Sequence, residues 1–264
     1  MRGRKSFAAF ALIAAAFVTG SLAAAQQMAA PKWYVMHQEL AKPSMLKQYE
    51  DVSKEFIATV RQHHEAIPAF NFVGVAGDDY VYTYVTEIKG FSDVEAIFAG
   101  FAKLSQAVGE AKWNDLMVRG GQTMEWMRDS ILMEDPSFSY TPAQPRLKPE
   151  EEQYLHVDLY YVQPGREVEA DAICKEFAAL FRKKNVPDRY RVFKVVMGWE
   201  MPLIIVITPA KSPADYEALV AQSRKLLGAE GQALFARAFA ITRHFEMHGG
   251  TIRPDLSLEP FAKK

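Results

Sequence analysis

The feature that most constrains this chain is a near-repeat. Lys54-Glu55-Phe56 recurs as Lys175-Glu176-Phe177, 121 residues further on, and Arg61 recurs as Arg182 at the same spacing. Glu125 recurs as Glu246, again 121 apart, while Thr86, Asp93, Glu95 and Ala96 match Thr208, Asp215, Glu217 and Ala218 at a spacing of 122. Self-similarity at a fixed period implies one supersecondary unit built twice, each copy burying a face that it cannot bury alone.

Each copy reads as strand, helix, strand, strand, helix, strand. In the second, Tyr154 to Val162 alternates, Pro164-Gly165 turns the chain, and Ile173, Phe177, Leu180 and Phe181 form a helical apolar stripe. Tyr190 to Met197 and Leu203 to Thr208 follow as strands rich in β-branched and aromatic residues. A helix then starts at Pro213 and breaks near Gly228 to Gly231 before the last strand. The first copy repeats this with Val52, Phe56 and Val60 on its first helix and Val94, Ile97, Phe98 and Phe101 on its second.

The ends set the other boundaries. Arg2, Arg4 and Lys5 precede an apolar run from Phe7 to Val18 and then Ala23-Ala24-Ala25, the pattern of a secretory signal peptide over 1–25. The expected location is therefore the periplasm or outside the cell, with no membrane contact after cleavage. Removing three positive charges takes the formal net charge from −1 to −4, which offers no general attraction to nucleic acid. The first unit spans 26–135, and a linker with four prolines and the acidic run Glu150-Glu151-Glu152 spans 136–153. The second unit spans 154–248 and a C-terminal tail 249–264. The single cysteine, Cys174, cannot form an internal disulfide and sits among apolar neighbours as a buried thiol.

A βαββαβ unit is the ferredoxin-like arrangement, whose helices cover one sheet face and leave the other open. With its duplication, the chain resembles the dimeric α+β barrel superfamily, which includes NIPSNAP-like proteins, antibiotic-biosynthesis monooxygenases, haem-degrading monooxygenases and chlorite dismutases. The resemblance implies an α+β fold in which two tandem ferredoxin-like units close an intramolecular barrel around a central cavity. It also implies oxygenase chemistry as one possibility. The haem-binding relatives take their axial histidine from a helix, and the second copy has no histidine on either predicted helix, which argues against haem; the cofactor is unknown.

Alternation along the strands then nominates a site. Leu155, Val157, Leu159 and Tyr161, with Phe245 and Met247, are expected under the helices. Tyr154, His156, Asp158 and Tyr160, with His244, Glu246 and His248, are expected on the opposite face, lining a gap between the two sheets. The matching positions of the first copy include His37, Glu39 and Glu125. His244, Glu246 and Asp158 form a candidate acid–base set, and the remaining residues a polar, aromatic wall for a small organic ligand. His156 and His244 with Glu246 or Asp158 also make a donor set for iron, zinc or copper, so the metal question stays open. Three functions remain: a ligand-binding barrel, a cofactor-independent or metal-assisted monooxygenase or isomerase, and a structural or interaction module with a filled interior. Arg189 and Arg191 read as strand-edge charges. A monomer and a homo-oligomer are both compatible with the sequence.

Overall fold

The computed structural model describes residues 30–68 and 70–258. The signal segment expected at 1–25 and the last six residues lie outside that range.

Among the described residues there are eight strands and five α-helices. The first half runs β1 (Lys32–Ala41), α1 (Leu46–Gln62), β2 (Val73–Gly77), β3 (Val81–Ile88), α2 (Phe91–Val108), α3 (Glu110–Gln122) and β4 (Met124–Glu134). The second runs β5 (Tyr154–Val162), α4 (Glu167–Lys184), β6 (Arg191–Met197), β7 (Leu203–Ala210), α5 (Pro213–Ala240) and β8 (Thr242–Ile252). All pairings are antiparallel, and the strands close a barrel in the order β1-β3-β2-β8-β5-β7-β6-β4. The order β4-β1-β3-β2 of one half therefore recurs as β8-β5-β7-β6 in the other. At the two seams Glu134 opposes Phe193 and Ile252 opposes Val75.

Local sequence explains the helix ends. Ser212 caps α5 through its hydroxyl, with Pro213 at the first helical position. Three basic residues close α4 before Asn185 takes the left-handed conformation (φ 49°). The break expected near Gly228 is a kink at that residue, where φ is 57° and ψ is −145°, a combination that only glycine adopts readily.

Several of the repeated residues have scaffold roles. Glu55 forms a bidentate pair with Arg119, and Glu176 does the same with Arg237, so each clamps one helix of its half to another. Asp93 accepts from Lys89 N at 2.7 Å and Asp215 from Lys211 N at 2.9 Å, closing the turn before each helix. Arg61 donates to Ser257 O and Arg182 to Ser139 O. Those carbonyls belong to a second repeated motif, Pro136-Ser137-Phe138-Ser139-Tyr140 and Pro254-Asp255-Leu256-Ser257-Leu258. Each motif leaves the last strand of one half and packs on the other half. Tyr140 bridges Tyr190 and Leu258 bridges Phe72, while Ser139 Oγ accepts from Val192 N and Ser257 Oγ from Gly74 N.

Three expectations change accordingly. Part of the linker is core, since Phe138, Tyr140 and Leu147 are buried and Glu152 is buried against Arg189. The tail is not free: β8 continues to Ile252, and Leu256 and Leu258 are fully buried in the first half. β6 is paired on both sides, so Arg191 is no edge charge; it donates to Glu134 and Tyr34 inside the barrel.

The barrel interior is packed. Tyr34, Met36, Leu132, Leu159, Tyr161, Phe193, Val195, Leu203 and Ile205 form one buried cluster contributed by both halves. Two further clusters lie between the sheet and the helices, one in each half.

Candidate functional site: a cavity under the second helix pair

Antiparallel pairing puts directly opposed residues on the same face. Leu159 opposes Glu246, Tyr161 opposes His244 and Val157 opposes His248. His244, Glu246 and His248 thus share the barrel-interior face with those apolar residues, as expected for the histidines but not for β5. Tyr154, His156, Asp158 and Tyr160 share the other face with Phe245 and Met247, beneath the helices. The parity error has a physical source: β5 is covered on both faces, and its apolar side packs into the filled barrel interior rather than under the helices, so alternation alone does not say which face is inside. The irregularity between Tyr161 and Val162 then sets the pairing with β8. Glu125 is exposed. His37 opposes Asp129 as Asp158 opposes Met247, so the residue standing where Glu246 stands is Arg128, not Glu125.

The predicted set therefore separates into three places. At one rim of the barrel, His244 Nε2 lies 2.8 Å from Glu246 Oε1, Glu246 Oε2 lies 3.0 Å from His248 Nε2, and His248 Nδ1 lies 3.0 Å from Asp79 Oδ2. The hydrogen bond to Asp79 outweighs partial burial and, with Glu246, raises the His248 pKa to about 9. Burial raises the Glu246 pKa, but its bonds to His248, His244 and Tyr161 bring it below the usual carboxylate range. Asp78, Asp79 and His248 also place one ligand-type atom each within 4.8 Å of the others. The metal set expected from His156, His244, Glu246 and Asp158 is not assembled, because its members lie on opposite faces of the sheet.

The first half holds a second chain on its helix side. Asp129 Oδ1 is 2.8 Å from His37 Nδ1, His37 Nε2 is 3.0 Å from Glu39 Oε1, and Tyr49 donates to Glu39 and pairs with Tyr84 at 2.8 Å. Burial lowers the His37 pKa, but its two carboxylate bonds prevail and raise it to about 9. These groups satisfy one another within a packed layer that also holds Phe72, Leu104, Leu256 and Leu258.

The third place is a cavity of about 560 Å³ between the β5–β8 sheet and helices α4 and α5. Correspondence between the halves explains why space exists here. The spacing of 121 places Ala170 where Tyr49 stands, and the spacing of 122 places Ile204 and Val206 where Tyr82 and Tyr84 stand. Three phenols that fill one half are replaced by shorter side chains in the other. The wall is mostly apolar, with Phe177, Phe181 and Phe235 among its rings. The exposed side chains of Phe239 and Met247 also belong to the lining, and the Gly228 kink interrupts α5 along it.

The charged groups on this wall are Asp158, Asp188, Arg189 and Arg224. Asp158 Oδ1 lies 3.0 Å from His156 Nε2, and the His156 ring stacks on Tyr216 at 3.9 Å between centroids. Burial, then the Asp158 charge, raises the pKa of the Tyr160 and Tyr216 phenols, which stay protonated. Burial also pushes the Cys174 thiol up to about 12, so it is no nucleophile at neutral pH. None of the described histidines lines the cavity. Its donor set lacks the axial imidazole that the haem-binding resemblance implies, and haem does not fit on that ground.

No protein-family model matches the sequence, and no curated protein matches it significantly. Solved structures do. An anthrone oxidase-like protein is similar over 84% of this chain and 91% of its own, at 16% identity and a TM-score of 0.57. An inferred monooxygenase from Lactobacillus acidophilus is similar over 88% of this chain and 97% of its own, at 8% identity and a TM-score of 0.51. At such identities the likeness concerns the fold alone, an antiparallel barrel closed by strands from both halves with helices packed outside it.

Proposed function

We propose that the chain binds a small, ring-bearing organic molecule in the cavity between the β5–β8 sheet and the α4–α5 pair, and that its two halves are tandem ferredoxin-like units. The reading is carried by the cavity itself. At about 560 Å³ it lies within the size range of small-molecule sites, roughly 300–1,000 Å³. It is walled by aromatic rings and opened by the change from Tyr49, Tyr82 and Tyr84 to Ala170, Ile204 and Val206. The gap between the two sheets, where the sequence placed the ligand, is occupied by the buried interior cluster instead. The pattern of Arg2, Arg4 and Lys5 before an apolar run supports a periplasmic or secreted location.

One observation favours a chemical reading of the same cavity. The Asp158 carboxylate lines it and is held by the stacked His156, the arrangement of a base positioned to take a proton from a bound molecule. That step serves an oxygenase or an isomerase, and the neighbours named as an anthrone oxidase-like protein and an inferred monooxygenase support it. His244 and Glu246 do not take part, since they lie on the opposite sheet face. Binding is tested by equilibrium dialysis with naphthalene-sized aromatics against the parent and an Ala170→Phe variant. Saturable uptake by the parent and loss in the variant support the cavity; equal uptake sinks it. Asp158→Asn separates the chemical reading, because binding should persist while any turnover of a bound phenol under air disappears.

A further inference from the structure

A histidine and two carboxylates meet where the halves join along β2 and β8. Asp79 Oδ2 lies 3.0 Å from His248 Nδ1, and Asp78 adds a third ligand-type atom within 4.8 Å of both. Each side chain is set from behind. Asp79 Oδ1 accepts from Val81 N at 3.1 Å, which leaves Oδ2 for the histidine. Asp78 N donates to Gly249 O at 3.0 Å, and a Cβ at Gly249 would stand 2.9 Å from Asp78 Oδ2, so the missing side chain makes room for that carboxylate. His248 Nε2 is held 3.0 Å from Glu246 Oε2, and Glu246 is held in turn by His244 at 2.8 Å. A carboxylate on the far nitrogen is the usual companion of a metal-binding imidazole, because it fixes the ring and directs the other nitrogen at the ion. The charges here are unbalanced: among the described residues no lysine or arginine pairs with Asp78 or Asp79, and the Asp78 side chain has no hydrogen-bond partner. The other seam differs, since Ser130 stands where His248 stands and its hydroxyl donates directly to Gly198 O at 3.2 Å.

The geometry points to a divalent-cation site of the zinc class, with His248 Nδ1, Asp79 and Asp78 as ligands and Glu246 behind the imidazole, tying the β2–β3 hairpin of the first half to β8 of the second. It is independent of the cavity. One imidazole nitrogen with two carboxylate oxygens suits zinc, which takes such donors at about 2.0–2.2 Å and completes its set with water. Magnesium and calcium favour all-oxygen sets. As the ion enters, Nδ1 and Oδ2 turn from each other to the metal, and the proton between them leaves to solvent. The alternation of His244, Glu246 and His248 along β8 then has one purpose, a ligand and its supports. The seam gains a link beyond its three residue pairs, Val75 with Ile252, Ala76 with Thr251 and Gly77 with Gly250.

The test is isothermal titration of tag-free, EDTA-stripped protein with zinc chloride, paired with thermal unfolding. The parent is expected to bind one zinc and, at zinc about one hundred times its dissociation constant, to unfold about 5–10 °C higher. Asp78→Asn, His248→Gln and Glu246→Gln should each weaken binding by at least about tenfold, the last because it loosens the ligating imidazole. Asp78 is exposed and its side chain bonds to nothing, so Asp78→Asn keeps the metal-free midpoint and reads the ligand alone. His64→Gln, at the separate His63-His64 pair, should bind as the parent does. No zinc uptake by the parent overturns the inference, as does undiminished binding by any of the first three variants. Loss of binding in His64→Gln, or uptake by the parent without a rise in midpoint, overturns it equally.

Discussion

Filling the cavity from Ala170 should stabilise the protein while abolishing ligand uptake. Ala170 is 4% exposed, lies on α4 and faces the space that Tyr49 fills in the first half. Burying a phenylalanine side chain is worth about 1.5–3 kcal/mol by area. Part of that is already supplied by the alanine methyl, and fixing the new rotamer costs about 0.5–1 kcal/mol. The net expectation for Ala170→Phe is about 1 kcal/mol of stabilisation, seen as a rise of about 2–4 °C in the unfolding midpoint for a chain of this size. In a filled core the same substitution would overpack and destabilise by about 1–3 kcal/mol. The sign of the change therefore decides the matter. Thermal unfolding, paired with dialysis against 2-acetylnaphthalene, reads both consequences. A fall in the midpoint by several degrees would refute the argument that the change from Tyr49 to Ala170 leaves usable space.

Other expectations follow from the same geometry. The folded-state pKa values of His37 and His248 are raised to about 9, above the ordinary value of about 6.5. Their contributions are then fully present below about pH 6.5 and are lost as pH rises through about 9; urea unfolding of the parent, His37→Gln and His248→Gln at pH 6 and pH 10 should show a smaller pH dependence in each variant. Leu258→Ala, which truncates a fully buried side chain in the crossing arm, should cost about 2–5 kcal/mol in the same assay, and a cost below about 1 kcal/mol would argue against the arm as core. Gly198 has φ 88° and an added Cβ would stand 2.1 Å from Asp129 O, so Gly198→Ala should destabilise by at least about 2 kcal/mol by urea titration.

What could be read from the sequence depended on whether a residue served the scaffold or the difference between the halves. Glu55, Glu176, Arg61, Arg182, Asp93 and Asp215 were visible because both halves need the same clamps, arm contacts and turn closures. The strand and helix order followed from period and turn signals, including the break in α5 at Gly228. The sidedness of β5 was not legible, since both of its faces are covered, one by the packed barrel interior and one by helices, and only the pairing with β8 fixes which is which. Equating Glu125 with Glu246 failed for a related reason: the two halves differ in length between the middle and last strands, so equal spacing does not mean equal position. The crossing arms did leave a signal, Pro136-Ser137-Phe138-Ser139-Tyr140 against Pro254-Asp255-Leu256-Ser257-Leu258, but it was concealed by the different spacing. The cavity residues carried no motif at all. Ala170, Ile204 and Val206 become informative only as departures from Tyr49, Tyr82 and Tyr84, and that comparison needs the strands aligned in space.

The most direct measurement is a crystal structure of the protein grown with 2-acetylnaphthalene. The probe's density should lie between the β5–β8 sheet and helices α4 and α5, beside Ala170. Density between Leu132 and Leu159, inside the barrel, would contradict the account.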